Sequence, residues 1–447
     1  MSDRQIHQGR WWLPENPENQ VSGTLFTNPE LILETIGELG DTSFLEVFAS
    51  DSPLQHGVIW GMDSNATRIS VFGCAAGMTQ NTSCPFSLVR YKVQVIALGA
   101  HIKSWDDLGN YDVKVQFPEL PLWFRPNCFH SICKGNDFGF ITCLQDANRL
   151  SAPIEEGCTI QLEGEAKISH NDNGLNLTIE QDTVLYFSFD YAISMQDAKR
   201  KVYSFEQFLS FATLSPVQCS HFWLIDKDKK KDPQKKFSIE IIDKRVPRQA
   251  NIRFWEYLFV HETIKDSFGK IIRKWYEEKD LFPIRAHLID SVSHKGYFEA
   301  NDFLIICQAI EGFYCRFRND DSFTNIFKNL IDEFADIQIQ EVSLADIPYI
   351  QDTRNHFSHL LPPGKKHHVL DGHELYNLNH KVRKLLICCI LKLIGFTNDE
   401  MNVIFANSHN SYLRMISDKK RNIVESEPIT LNAQILNVTQ ISEIEPE

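Results

Sequence analysis

The chain has 447 residues, of which 43% are hydrophobic and 23% are charged, and its formal net charge is −14. This length allows two or three domains, each with its own core. The negative charge excludes a protein that coats nucleic acid over its whole surface, although a local basic groove can still bind phosphate groups.

The cellular compartment is indicated by what the sequence lacks. Met1–His7 has no apolar segment typical of a secretory signal, and the longest purely apolar run, Leu385–Leu391, is too short to span a bilayer. The 11 cysteines are an odd number and have no framework spacing, which is typical of reduced thiols. We therefore expect a cytoplasmic protein without a membrane partner.

Residues 1–195 have the pattern of β-strands. Apolar residues alternate with other residues in 89–95, 113–117 and 175–179, and turn-forming residues separate such runs. One short helix is predicted near Pro29–Glu38. The pattern predicts an antiparallel domain of the sandwich or barrel-like kind.

Residues 196–250 give a mixed signal and are predicted to form a connector. The segment contains a helical pattern around Phe205–Phe211 and two strand patterns, 221–225 and 237–242, on either side of a lysine-rich loop at 227–236. Such a loop is more often solvated than bound to RNA, and the sequence leaves its role open.

From residue 251 to 407 the apolar period becomes helical, which predicts a compact bundle. A long helix is expected at Glu374–Leu393, with Gly395 as its cap. The tail 408–447 lacks an amphipathic pattern and is predicted to be partly disordered. The expected fold class is therefore α+β, with a β-rich N-terminal domain followed by an all-α bundle.

The segment Gln351–Leu361 concentrates side chains suited to catalysis. It contains Arg354, Asn355, His356 and His359, and a proline pair that follows it ends the helix. Histidine can act as a general base or acid near neutral pH, and arginine presents fixed donors to phosphate oxygens. These groups suit metal-free RNA cleavage, in which the ribose 2′-hydroxyl attacks the adjacent phosphate.

Helix geometry constrains how these residues cooperate. Positions five apart, such as Arg354 and His359, are about 140° out of phase on a regular helix, whereas Asn355 and His359 share a face. Asn355 is therefore predicted to orient His359. Either the arginine side chain reaches round a loosened helix, or two copies of the segment meet across a two-fold axis.

Neighbouring positions supply further candidates. Glu311 lies beside the apolar stripe of its helix, so we expect its carboxylate to be paired if it is buried, with Arg316 or Arg318 as alternative partners to the site. His356 is interpreted as structural or substrate-facing. The residues predicted to contact RNA are His356, Lys365, Lys366, His367 and Tyr376.

Metal and nucleotide cofactors are not expected. The group Cys128, His130, Cys133 and Cys143 resembles a zinc set, but it lacks a tight Cys-x₂-Cys pair, and buried thiols are the better interpretation. No phosphate-binding glycine-rich loop occurs in the sequence.

Two parts of the chain resemble known families. Arg354, Asn355 and His359, in the penultimate major helix of a bundle, resemble the HEPN signature of an arginine, a polar residue and a histidine four to six residues after the arginine. Gly9–Glu15 (GRWWLPE) and Val21–Leu25 (VSGTL) resemble the start of the ApeA N-terminal domain, which precedes a HEPN domain in that family.

The resemblance implies a dimeric, metal-independent endoribonuclease of bacterial abortive defence against phages. It implies host RNA as substrate, with tRNA the leading candidate, and a sensor or regulatory role for the N-terminal domain, where a phage-derived trigger would act. It also implies that Glu311, on the helix before the motif, orients Arg354 or His359. The alternative is a catalytically silent HEPN dimer that acts as a scaffold for RNA, nucleotide or protein.

Overall fold

The computed structural model describes residues 6–40, 55–78, 88–105, 111–126, 128, 130–134, 137–141, 149–170, 177–227, 238–243, 256–293, 300–337, 341–360 and 368–407. Strands dominate these residues up to position 243, and helices dominate from position 261 onward. This order confirms the predicted α+β class.

The strands pair in antiparallel fashion throughout the described ladders. They are β1 (Ile6–Leu13), β2 (Asn16–Phe26), β3 (Ile32–Ile36), β4 (Gln55–Asp63), β5 (Arg68–Met78), β6 (Leu88–Lys92), β7 (Val95–Leu98), β8 (Tyr111–Gln116), β9 (His130–Lys134), β10 (Asp137–Ile141), β11 (Arg149–Glu155), β12 (Cys158–His170), β13 (Leu177–Phe189), β14 (His221–Asp226) and β15 (Ser238–Asp243).

The first six strands close into a barrel. Neighbours run in the order β5, β4, β1, β2, β3 and β6, and β6 returns to pair with β5. A separate hydrophobic cluster fills the interior, with fully buried side chains from several strands: Trp11, Leu25, Leu33, Ile59 and Tyr91. Closure removes the exposed strand edges that an open sheet of the same strands would present.

The barrel joins an open sheet at Gly73 in β5. Ile69–Phe72 pair with β7, whereas Ala75–Met78 pair with β6. Gly73 has a φ of 62°, and a Cβ there would lie 2.7 Å from the side chain of Gln94. Glycine adopts this left-handed conformation without steric cost, so it allows one strand to change partners.

Beyond the barrel the sheet continues in the order β7, β15, β14, β8, β13, β12 and β11. The β14–β15 hairpin matches the two strands predicted on either side of the lysine-rich loop, but it lies between β8 and β7. The segment predicted as a connector therefore contributes two strands to this sheet.

The prediction of a helix near Pro29–Glu38 is wrong. This stretch forms β3, which pairs with β2 on one side and β6 on the other. Leu31, Leu33 and Thr35 alternate as buried positions. A short apolar run fits either a strand or a helix, and strand pairing decides between them here.

The helices are α1 (Leu120–Phe124), α2 (Met195–Thr213), α3 (His261–Ile264), α4 (Phe268–Glu277), α5 (Phe282–Ser293), α6 (Ala300–Phe317), α7 (Phe323–Glu333), α8 (Ile347–His359), α9 (Gly372–Ile394) and α10 (Asn398–Asn407). The predicted long helix is α9. It ends as expected at Gly395, which has a φ of 109° and whose N–H bonds to the carbonyl of Lys392.

The sheet and the helices share one hydrophobic core. A single cluster of buried side chains includes sheet residues, residues of α2 and residues of the bundle. Across it, the rings of Phe208 and Phe211 on α2 lie 5.5 and 5.8 Å from the ring of Trp275 on α4. The two halves of the chain are therefore packed together rather than joined by a free linker.

A buried arginine reinforces this junction. Arg285 on α5 is 4% exposed, donates hydrogen bonds to the carbonyl of Trp275 and the hydroxyl of Ser204, both at 3.1 Å, and stacks on the Trp275 ring. Burial lowers the pKa of Arg285 to about 10. Because Ser204 is on α2, the contact joins the N-terminal region to the bundle.

Candidate active site

Helix α8 carries the candidate residues and ends where the sequence predicts. Pro348 lies in its first turn, where a missing N–H has no cost, and Leu360 follows it with a φ of 49°. Ile347, Ile350 and Thr353 form its buried face. Arg354 and Asn355, which follow Thr353, therefore lie at the edge between the core and solvent.

Arg354 is fixed by partners on two sides. Its Nη2 donates to Glu311 Oε2 at 3.0 Å and to Oε1 at 3.4 Å, and its Nη1 donates to Asn355 Oδ1 at 3.1 Å. The side chains of Arg354 and Glu311 are 28% and 27% exposed, so the pair remains accessible to a ligand. The structure thus brings together three of the predicted residues.

The partner of Glu311 is settled by the other arginines. Arg316 donates to the carbonyl of Asp280, and Arg318 pairs with Glu333 at 2.8 Å. The carboxylate of Glu311, on α6, is therefore left to hold Arg354.

The two histidines occupy different positions. His359, in the last turn of α8, is exposed, whereas His356 is half-buried with its ring 4.9 Å from that of Phe357. The predicted contact between Asn355 and His359 is wrong, because Asn355 Oδ1 accepts from Arg354 and no hydrogen bond joins Asn355 to His359 within the described residues. A neighbouring guanidinium is a stronger donor than an imidazole one turn away.

Tyr376 lies on α9, with its ring 4.2 Å from that of His380. Thr353 bonds to Leu370, and Asp346 pairs with Lys381, so α9 runs antiparallel to α8. From these two contacts we expect Tyr376 to lie nearer to the first turns of α8 than to His359. The predicted RNA contacts Lys365, Lys366 and His367 lie outside the described residues.

Two contacts of the site were not predicted from the sequence. The guanidinium carbon of Arg354 lies 5.3 Å from the ring centre of Phe323 on α7. The hydroxyl of Thr353, fully buried, accepts a hydrogen bond from the N–H of Leu370 at 3.0 Å. Both join elements distant in sequence, so no spacing pattern signals them.

The buried cysteine nearest the site is not an activated nucleophile. Burial raises the pKa of the Cys307 thiol well above its ordinary value, and Glu311 raises it further, while Arg354 acts in the opposite direction. A neutral thiol is a poor nucleophile, so Cys307 is not a candidate catalytic residue.

The other sequence candidates are only partly described. Cys128 is buried, and the side chains of His130 and Cys133, and all of Cys143, lie outside what the structure describes. Within the described ranges no group of three or more metal-binding side chains clusters together. Of the loop 227–236, only Lys227 is described, and its Nζ lies 3.7 Å from Asp112.

Comparison with known families agrees with this architecture. The ApeA N-terminal domain 1 matches residues 6–275, and the Apea-like HEPN domain matches residues 304–400. Fold and site thus define an anti-phage effector of the HEPN type with a β-rich N-terminal region. The chain belongs to the ApeA family. Neither curated proteins nor solved structures give a match. None of the helices described is both long and apolar enough to cross a membrane.

Proposed function

We propose that this protein is a metal-independent endoribonuclease that acts in the bacterial cytoplasm during anti-phage defence. The observation that carries the proposal is the Arg354 guanidinium, held by Glu311 and Asn355 at an accessible edge of α8, five residues before the exposed imidazole of His359. A fixed cation beside a titratable ring suits phosphate chemistry.

The proposed reaction needs only groups of this chain and the RNA. His359 accepts the proton of a ribose 2′-hydroxyl, and the oxygen forms a bond to the adjacent phosphorus. The bond from phosphorus to O5′ breaks, and a second imidazole protonates the departing oxygen. Arg354 stabilises the negative charge of the phosphorane, and the products are a 2′,3′-cyclic phosphate and a 5′-hydroxyl.

The second imidazole comes from His359 of the partner subunit in a two-fold dimer. Two features support this part of the proposal. Arg354 points toward α6 while His359 is exposed beyond it, so His359 is the exposed imidazole that α8 itself presents among the described residues. Tyr349 in the first turn of α8 and Leu360 directly after the helix are 38% and 86% exposed, and exposed apolar side chains favour a covered face.

We further propose host tRNA as the substrate and a phage-derived trigger that acts on the N-terminal region. Only a local patch needs to bind RNA, because the net charge of −14 disfavours RNA over most of the surface. Lys365, Lys366 and His367 are proposed as phosphate contacts beside the catalytic helix.

The test is cleavage of bacterial tRNA by the purified protein, alone and with lysate from phage-infected cells. Wild type should cleave with a chelator present, while Arg354→Ala and His359→Ala should lose at least about 100-fold in rate. Arg318→Ala is the matched control, since its ion pair joins it to Glu333 on α7 and not to a residue of α8. Equal survival of the RNA with wild type and all variants, with and without lysate, contradicts the proposal and favours a silent scaffold.

A mixing experiment tests the shared cleft. His359→Ala subunits are mixed with wild-type subunits, so that a mixed dimer keeps both arginines but only one His359 ring. If one ring acts as the base and the ring of the partner subunit as the acid, the mixed dimer should be nearly inactive, and cleavage should fall more steeply than the fraction of wild-type subunits. A cleavage rate that falls only in proportion to that fraction, with mixed dimers demonstrated by mass, contradicts the shared cleft.

A further inference from the structure

The first turn of α7 places an aromatic ring against the candidate arginine. Phe323 is the first residue of this helix, it is half-buried, and its ring centre lies 5.3 Å from the guanidinium carbon of Arg354. On its inner side the ring contacts Phe327, with 4.9 Å between the ring centres. One side of Phe323 therefore faces the core and another faces the cation.

The position of this ring is fixed by polar contacts around it. Ser322 caps the helix by accepting a hydrogen bond from the N–H of Asn325 at 3.4 Å, and Asp321 accepts from the Asn325 amide at 2.8 Å. The hydroxyl of Thr324 donates to Gln351 on α8 at 3.0 Å. This last bond ties the start of α7 to the helix that carries Arg354.

An aromatic ring can orient a cation without occupying any of its hydrogen-bond donors. The recorded bonds of Arg354 already use Nη2–H for Glu311 and Nη1–H for Asn355, out of five N–H groups. The ring adds a third restraint and leaves the remaining donors for phosphate oxygens. It also excludes water from one side of the cation, which strengthens the attraction of the guanidinium for an anion.

We infer that Phe323 is a positioning residue that holds Arg354 in the orientation in which it binds the scissile phosphate. The inference rests on the proposed function. The aromatic character of Phe323, and not its volume, is what orients Arg354, because the quadrupole of the ring attracts the cation. An aliphatic side chain fills much of the same space but has no such attraction.

The first experiment compares aromatic and aliphatic replacements in tRNA cleavage. Phe323→Leu is expected to lower kcat/KM about 3- to 30-fold, mostly through a higher KM, and Phe323→Tyr should restore kcat/KM to within about twofold of wild type. Phe327→Leu is the matched control on the same helix, because Phe327 is buried and contacts Phe323 instead of the arginine. That control should lower the melting temperature but leave kcat/KM unchanged.

A second experiment separates this inference from the proposed reaction. Binding of fluorescent tRNA is measured in a His359→Ala background, where no cleavage is required. Phe323→Leu should weaken binding about 3- to 30-fold, and Phe323→Tyr should not. If cleavage is absent but binding distinguishes these two variants, the proposed function fails and the positioning role stands. If neither experiment distinguishes leucine from tyrosine at position 323, the inference is overturned.

Discussion

The Glu311 carboxylate on α6 lies 3.0 Å from the Arg354 guanidinium on α8, across 43 positions of sequence. Both side chains are partly exposed, so the pair contributes little to stability, about 1 kcal/mol or less. The main effect of the ion pair is on orientation, because it fixes the position of the permanently charged Arg354 guanidinium within the site.

Replacing Glu311 with glutamine should therefore affect cleavage more than folding. The amide can still accept a hydrogen bond but loses the charge, and charge-assisted bonds are about twice as strong as neutral ones. We expect tRNA cleavage to fall about 5- to 10-fold with a melting temperature close to that of wild type. Glu333→Gln, which breaks a similar pair with Arg318, is the control. Full activity of Glu311→Gln beside an inactive Arg354→Ala would argue against the orienting role.

Thr353 is expected to stabilise the fold at the site by joining α8 to the segment that precedes α9. Its buried hydroxyl accepts from the N–H of Leu370, on the segment that enters α9. Thr353→Val leaves that N–H unpaired in the interior and should lower the free energy of unfolding by about 1–3 kcal/mol, measured by urea denaturation. Thr353→Ser keeps the hydroxyl and should recover most of the loss. Equal stability of the valine and serine variants contradicts this role.

Glu119 predicts a pH dependence of stability. Burial, the largest cause, and the nearby Glu206 raise the pKa of its carboxyl to about 7. The folded state then holds a proton that the unfolded state releases near its ordinary pKa of about 4.5. The contribution of Glu119 to the free energy of unfolding is thus fully present below about pH 4.5 and is lost as pH rises through about 7.

Glu119→Gln should remove this loss. At pH 8 the variant should be more stable than wild type by about 1–2 kcal/mol, a discounted value because the carboxyl keeps some contact with solvent. Near pH 4.5 the two proteins should have similar unfolding free energies, measured by urea denaturation. Glu277→Gln, on an exposed position of α4, should show no such change. A gain that is the same at both pH values contradicts the assignment to Glu119.

Gly73 tests the junction between the barrel and the open sheet. Gly73→Ala places a side chain in a left-handed conformation and near Gln94, so it should cost about 1–2 kcal/mol or more. The double variant Gly73→Ala/Gln94→Ala removes the collision but not the backbone strain. It should recover only part of the loss in urea denaturation. Unchanged stability of Gly73→Ala would show that β5 does not need glycine to change partners.

Local signals made part of this structure predictable. The change from a two-residue to a helical apolar period separates the strands before position 243 from the bundle after it. Gly395 and the proline pair at 362 and 363 mark where α9 and α8 end. These signals act over a few residues, so they can be identified in the sequence alone.

Contacts between distant elements were not predictable in this way. The strand β3 competes with a helix over Pro29–Glu38, and only its pairing with β2 and β6 decides the outcome. The position of Glu311 beside the apolar stripe of its helix predicts a paired carboxylate, but helix packing selects Arg354 as the partner rather than Arg316 or Arg318. Phe323 reaches Arg354 for the same reason, through the packing of α7 on α8.

The core shared by the sheet and the helices has a consequence for how the protein can be divided. The HEPN match begins at residue 304, yet Trp275 and Arg285 lie before it and pack against α2. A fragment cut at 304 would lose these partners and expose the apolar faces that they cover. A fragment that begins at 304 is therefore expected to be less stable than the whole chain, because residues before 304 complete the core in which its helices pack.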